Sequence, residues 1–232
     1  TPGSRRIAST AACAAVSAWL PHPAVAQDHT LVMAMTGTPK GQDSDIWVPG
    51  QIESAVNVYE GLVRFGVKKG KDGRPEIDPG KIEPHFAEKW SVSRDGKVYV
   101  FRIRPGVKSP FGNELTSADV VWTYNKSTAL KRTGLFMKNV SRIEKVEALS
   151  KYEVRFTLAD ANRIFLAALT LHVPALFDSV EAKKHATADD PYAAKWLANN
   201  TASFGPYHLQ SVQSGQQAVY VVNPNYVFQK PF

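Results

Sequence analysis

Of six histidines in the chain, the five beyond residue 26 (His29, His85, His172, His185 and His208) are the side chains best suited to hold a metal or carry a proton, and their spacing suits neither role. Two ligands on one metal usually come from one turn or one short motif, and these residues stand tens of positions apart. Each reads as a surface or hydrogen-bonded imidazole. Two carboxylate pairs, Asp43/Asp45 and Asp189-Asp190, have the proximity that general acid–base chemistry exploits, yet neither has a partner group nearby in the chain. Asp189-Asp190 precedes a helix start, where negative charge offsets the dipole. There is no Gly-rich phosphate loop ahead of Lys-Ser/Thr, no Gly-x-Ser-x-Gly and no His-Glu-x-x-His. Chemistry in place is excluded more easily than binding, so a non-enzyme with no cofactor and no metal is the expectation.

The first 26 residues are read as an export signal. Arg5 and Arg6 form a positive start, Ile7 to Leu20 is small and apolar, and Ala24-Val25-Ala26 supplies the small-x-small cleavage pattern ahead of Gln27. Pro21 and Pro23 stop the apolar run short of the ~20 residues a bilayer needs. Ser4-Arg5-Arg6 hints at twin-arginine export. Cleavage after Ala26 removes Cys13, the single cysteine of the 232-residue chain, and with it any disulfide or thiol nucleophile. Arg5 and Arg6 are the only charged residues ahead of the cut, so the net charge of +7 becomes +5. Its densest basic cluster, Lys68, Lys69 and Lys71, sits in a Gly-rich turn and reads as a solvated hairpin tip, which argues against nucleic acid. The chain lacks an initiating Met and stops at Gln229-Lys-Pro-Phe232 without a closing element, so it reads as the N-terminal portion of something longer.

The elements that must position any binding group are legible in outline. Thr30 to Met35 is short and apolar, as a buried strand would be. Ile52, Ala55, Val56, Tyr59, Leu62 and Val63 recur at helical spacing, with the helix ending near Glu60-Gly61 and a strand running on to Val67. Asp72-Gly73 and Asp95-Gly96 mark hairpin tips. In the strand Val98 to Arg104, Tyr99, Phe101 and Ile103 point one way, Arg102 and Arg104 the other. Thr116-Ser-Ala-Asp119 is a capping box opening a helix that Val120, Val121 and Tyr124 carry onto the core. A third hairpin turns at Ser150-Lys151, a short helix is expected over 162–169, another from Asp190 with Pro191 at its first position, and a last hairpin turns at Ser214-Gly215. The whole is α+β, rich in antiparallel hairpins, without a βαβ rhythm.

Four blocks, in order, resemble one family. Ala55-Val-Asn-Val-Tyr-Glu-Gly-Leu-Val-Arg-Phe65 resembles a helix ending in Tyr-Glu-Gly-Leu. Pro84 to Phe101 is similar to a loop, Ala-Glx-x-Trp, hairpin and Tyr-x-Phe. Phe101 to Trp122 repeats its strand, turns and capped helix, and Phe204-Gly-Pro-Tyr207 with Asn223-Pro-Asn-Tyr226 resembles its closing pair. The family is the extracellular solute-binding proteins, family 5: dipeptide, oligopeptide and nickel receptors of ABC importers. The resemblance implies a type II periplasmic binding protein fold, with two hinged lobes enclosing a ligand. It places a first-lobe segment at 27–48, an inserted hairpin-rich subdomain at 49–170 and the rest of the first lobe at 171–232, with a second lobe beyond.

The implied function is capture of a peptide-like solute and delivery to permease subunits, by a periplasmic monomer. An exported hydrolase, or a chaperone-like binder without a transporter, is the alternative. For the cleft, the loop Thr36, Gly37 and Thr38 offers amides and hydroxyls at a strand end. Phe136 and Met137, in an expected irregular apolar loop, offer a flat ring and an adaptable thioether. His172 lies beside the implied crossing between lobe and subdomain. The loop Thr36 to Gly41 also resembles that of the dipeptide receptors.

Overall fold

Asp72-Gly73 reverses the chain as expected: β1 (Val63–Lys69) and β2 (Pro75–Pro84) pair antiparallel, and Gly73 takes a φ of +83° that glycine adopts without strain. The computed structural model describes residues 30–34, 41–46, 56–171, 175–213 and 215–228. The next hairpin joins β3 (Ala87–Val92) to β4 (Val98–Ile103) across Asp95-Gly96. Strands β5 (Ile143–Ser150) and β6 (Glu153–Leu158) form the third, and β6 adds to β4, giving a four-stranded sheet in the order β3-β4-β6-β5. A separate ribbon pairs β7 (Tyr207–Gln213) with β8 (Gln217–Val222). Every named pairing is antiparallel.

Alternation along the sheet strands decides what is buried. Tyr99, Phe101 and Ile103 of β4 and Val154, Phe156 and Leu158 of β6 face inward, while Arg102 stays exposed. The helix α1 (Ser117–Leu130) covers that face with Val120 and Tyr124, whose ring meets Phe156 edge-on at 5.2 Å. A second apolar cluster gathers Val58, Tyr59, Trp122, Phe177, Ala182 and Leu197. Trp122 faces it from the same helix, so α1 is buried from two directions. Its shorter companions are α2 (Thr133–Val140), α3 (Phe165–Ala168), α4 (Ser179–Lys184) and α5 (Ala194–Leu197).

Several expectations need correction. Residues 30–34 form no strand and are exposed, with no pairing to a strand edge among the described residues; Met35 lies outside the described residues. Of the expected helix from Ile52, residues 56–58 are helical and 51–55 lie outside the description. Pro191 does not open a helix. Residues 191 and 192 form a turn, and α5 begins at Ala194, whose amide and that of Lys195 donate to Asp190 at 2.9 and 2.8 Å. The short helix expected over 162–169 contracts to α3, with Asn162 accepting the Ile164 amide ahead of it.

Ala34–Phe232 is one packed unit, and Thr1–Met33 is a separate one. Among the described residues no helix is long and apolar enough to cross a membrane.

Candidate functional site

The third face of α1 is polar and buried. Asp119, Thr123, Lys126 and Ser127 recur at i, i+4, i+7 and i+8, one stripe along a helix, and each is almost fully hidden from solvent. Buried polar groups persist only when satisfied, and here two distant chain segments satisfy them. The first is 177–179. The Phe177 amide donates to Thr123 Oγ1 at 3.2 Å and the Ser179 amide to Asp119 Oδ1 at 2.9 Å. The other oxygen of Asp119 accepts from the amide and hydroxyl of Thr116, at 2.8 and 2.9 Å. The capping box thus forms, and its carboxylate also anchors the start of α4.

The second segment is 41–46, where Gln42, Asp43, Ser44 and Asp45 are four consecutive polar side chains with almost no exposure. Lys126 Nζ lies 2.8 Å from both oxygens of Asp43 and 3.3 Å from Asp45 Oδ2. It also sits 4.5 Å above the Phe177 ring. Asp45 Oδ2 accepts from the Ser127 hydroxyl at 2.8 Å, and its Oδ1 from the Gly134 amide at 2.7 Å. The Thr133 amide donates to the Asp45 carbonyl. Burial raises the Asp45 carboxyl above the usual carboxylate range, opposed by Lys126 and Ser127. On its other side the segment meets the C-terminal region: the Gln42 amide donates to Ala198 O, and Tyr220 donates to Gln42 Oε1 at 2.9 Å. Asp43 and Asp45, which have no partner nearby in sequence, have one in space, from a lysine 83 and 81 residues away.

A smaller polar knot lies elsewhere. His85 is sandwiched between Phe86 and Phe228, at 4.8 and 4.4 Å between ring centres, with its Nε2 3.0 Å from Glu60 Oε2 but out of line for a hydrogen bond. Tyr226 donates to Glu60 at 2.9 Å. Burial, then the Glu60 charge, drives the Tyr226 phenol far above its ordinary value, so it is a poor nucleophile. His185 stacks on Trp196 at 3.9 Å and pairs with Glu181. These arrangements tie chain segments together. Among the described residues no group of three or more His, Cys, Asp or Glu stands close enough to hold a metal ion.

The expected ligand contacts fare unevenly. Thr36, Gly37, Thr38 and His172 lie outside the described residues. Phe136 and Met137 are helical, in the middle of α2, not in an irregular loop as expected; only Arg132 separates the start of α2 at Thr133 from Lys131, which closes α1 in the left-handed conformation. Phe136 is 61% exposed, which excludes it from the core and leaves its ring available. The lysine that binds segment 41–46 was missed, although a Lys inside an otherwise buried helix was the signal that could have revealed it.

Similarity to known proteins gives the class, that of bacterial extracellular solute-binding proteins. A family model, bacterial extracellular solute-binding proteins, family 5 Middle, matches residues 81–232, and the chain belongs to that family. It is 29% identical over 213 residues to the probable D,D-dipeptide-binding periplasmic protein of Escherichia coli K12, covering 90% of this chain and 39% of that one. Identity to the nickel-binding periplasmic protein of the same strain is 28% over 187 residues, 80% of this chain and 32% of the relative. The chain therefore spans about two fifths or less of the length of these relatives. A Helicobacter pylori ABC transporter-associated periplasmic binding protein, solved with the peptide STSA, shares the fold with a TM-score of 0.68 at 21% identity, over 84% of this chain and 39% of that one.

Proposed function

We propose that this chain is the N-terminal part of the substrate-binding component of an ABC importer, exported to the periplasm with cleavage after Ala26, and that it captures a peptide-like solute for a permease. The observation that carries this reading is the match of nine tenths of the chain to a relative named for binding dipeptides. Residues 27–48 and 171–232 are read as parts of one lobe, with 49–170 inserted. The bonds from Gln42 to Ala198 and Tyr220 support that grouping, since they join the two ends across the insertion.

Capture needs more than one surface. A net hydrogen bond contributes about 0.5–1.5 kcal/mol, and micromolar affinity requires about −8 kcal/mol. Five or six backbone bonds to an extended peptide, with some buried side-chain area, reach that value only if the ligand is enclosed on both sides. A second lobe closing by hinge motion meets the requirement, and the uncovered length of the relatives leaves room for one.

The test is calorimetry and thermal melting of the full gene product with L-Ala-L-Ala, D-Ala-D-Ala and nickel–histidine. A peptide present at a hundredfold Kd adds about 2.7 kcal/mol of stability, so a clear peptide-dependent rise in Tm is expected. A rise with nickel–histidine alone would transfer the reading to nickel. Peptide turnover without saturable binding would replace it with a hydrolase.

A further inference from the structure

We infer that the outer half of the β1–β2 ribbon is a docking surface whose bare face lies against an anionic phospholipid bilayer. The surface does not depend on which solute the chain binds.

The register of the ribbon makes the argument. Val67 pairs with Ile77, Lys69 with Pro75, and further in Phe65 pairs with Ile82. Cross-strand partners share a face and every second residue returns to it, so these six line one side. The inner end is anchored, because Ile82 packs against the main core. The outer end is bare: Val67 is 60% exposed and Ile77 66%. In no other described strand pair are two apolar partners both more than half exposed. Among the described residues β1 and β2 pair only with each other. A two-stranded ribbon is marginal in water unless its apolar face is covered.

Charge selects what covers it. The bare face carries Lys69 and no carboxylate, while Glu76 and Asp78 stand across from Lys68 and Gly66 on the other face. The ion pairs of the ribbon join Arg64 and Lys81 to Glu83 and Arg74 to Asp72. They leave Lys68, Lys69 and Lys71 without one among the described residues. Aliphatic side chains flanked by such lysines fit an anionic bilayer interface, where lysine stems lie on the apolar surface and their heads reach the phosphates. A second copy fits worse, since it would set like-charged rims together. A protein partner also fits worse: two aliphatic side chains fall far short of the roughly 800 Å² per partner that a stable interface buries. On the receptor reading above, the contact keeps the protein close to its permease.

The experiment is co-sedimentation of the full gene product with vesicles of phosphatidylcholine alone and of an equal mixture with phosphatidylglycerol. Binding to the mixed vesicles only is expected, and its loss at about 1 M salt, where the screening length falls to about 3 Å. A lysine near such a surface contributes roughly a fivefold factor, so Lys69→Gln with Lys71→Gln is expected to weaken binding about 25-fold. Val67→Ser with Ile77→Ser is expected to weaken it about tenfold or more while Tm holds. Lys89→Gln with Lys108→Gln removes the same charge elsewhere on the surface and should leave binding unchanged. Equal binding to both kinds of vesicle, or equal losses in ribbon and control variants, overturns the proposal. No binding to either also overturns it, leaving the rest of the chain or a protein as the cover. So does a concentration-dependent dimer that Val67→Ser with Ile77→Ser abolishes, which would give the face to a second copy. A parent protein that binds the mixed vesicles but not L-Ala-L-Ala refutes the peptide reading alone.

Discussion

The Lys126 ammonium lies 2.8 Å from each carboxylate oxygen of Asp43, with both side chains fully buried and 83 residues between them. Asp45 adds a second negative charge 3.3 Å away. Removing the cation leaves two carboxylates in a space closed to water. Lys126→Met is expected to destabilise the protein by about 3–5 kcal/mol, the range for breaking a buried pair from one side. Replacing Lys126, Asp43 and Asp45 together with apolar residues is expected to cost much less. Urea unfolding of the single and triple variants checks this; equal losses would mean that the pair contributes more than it costs to bury.

Gly205 and Gly106 separate contact from strain. A Cβ on Gly205 would run into the Val58 carbonyl, backbone against backbone, with no side chain able to give way. Gly106 has open space around it but a φ of +81°. Gly205→Ala is expected to cost more than about 2 kcal/mol, and Gly106→Ala about 1 kcal/mol from the left-handed backbone alone. Thermal melts of the two variants, compared side by side, give the order directly.

Stability against pH has two opposed parts. Glu114 accepts from Lys151, the Gly106 amide and Tyr152, and these bonds pull its carboxyl down to about 2. A depressed folded value means that its contribution is complete above about pH 4.5 and is lost as pH falls toward 2. Lys151 is largely exposed, so the contribution is discounted to about 1 kcal/mol or less. Asp45 and Asp119 run the other way. Burial raises both, so as pH falls the fold takes up their protons before the unfolded chain does and gains stability from them. Glu114→Gln is expected to flatten the acid limb between pH 4.5 and 2, read from denaturant midpoints; an unchanged limb would discard the assignment.

Phe136 offers a functional test free of folding effects. Its ring is mostly exposed on α2, so Phe136→Ser is expected to change stability by no more than about 0.5 kcal/mol. In a receptor whose ligand meets that face, the Kd for L-Ala-L-Ala should weaken severalfold while Tm holds. An unaltered Kd removes Phe136 from the ligand contacts.

Local patterns were readable where one short segment contains its own physics. Asp72-Gly73 and Asp95-Gly96 turn because glycine accepts positive φ, and Tyr99, Phe101 and Ile103 alternate into the core because strand side chains do. Thr116 and Asp119 cap α1 because they are three positions apart. Segment 30–34 failed the same logic: apolar composition alone does not make a strand, and among the described residues no strand edge pairs with it. Pro191 failed because Asp190 reaches four and five residues ahead to cap a later start.

The amino-acid sequence by itself determined the hairpins and the capped helix, since each follows from spacings within about twenty residues, while the family and the expectation of binding came from the resemblance of four ordered blocks between Ala55 and Tyr226. Tertiary structure alone decided what Lys126, Asp43, Asp45, Ser127 and Gly134 do. Their charges and amides become obligatory partners only after burial strips away water, and which carboxylates Lys126 meets, 83 and 81 residues away, is settled by tertiary packing.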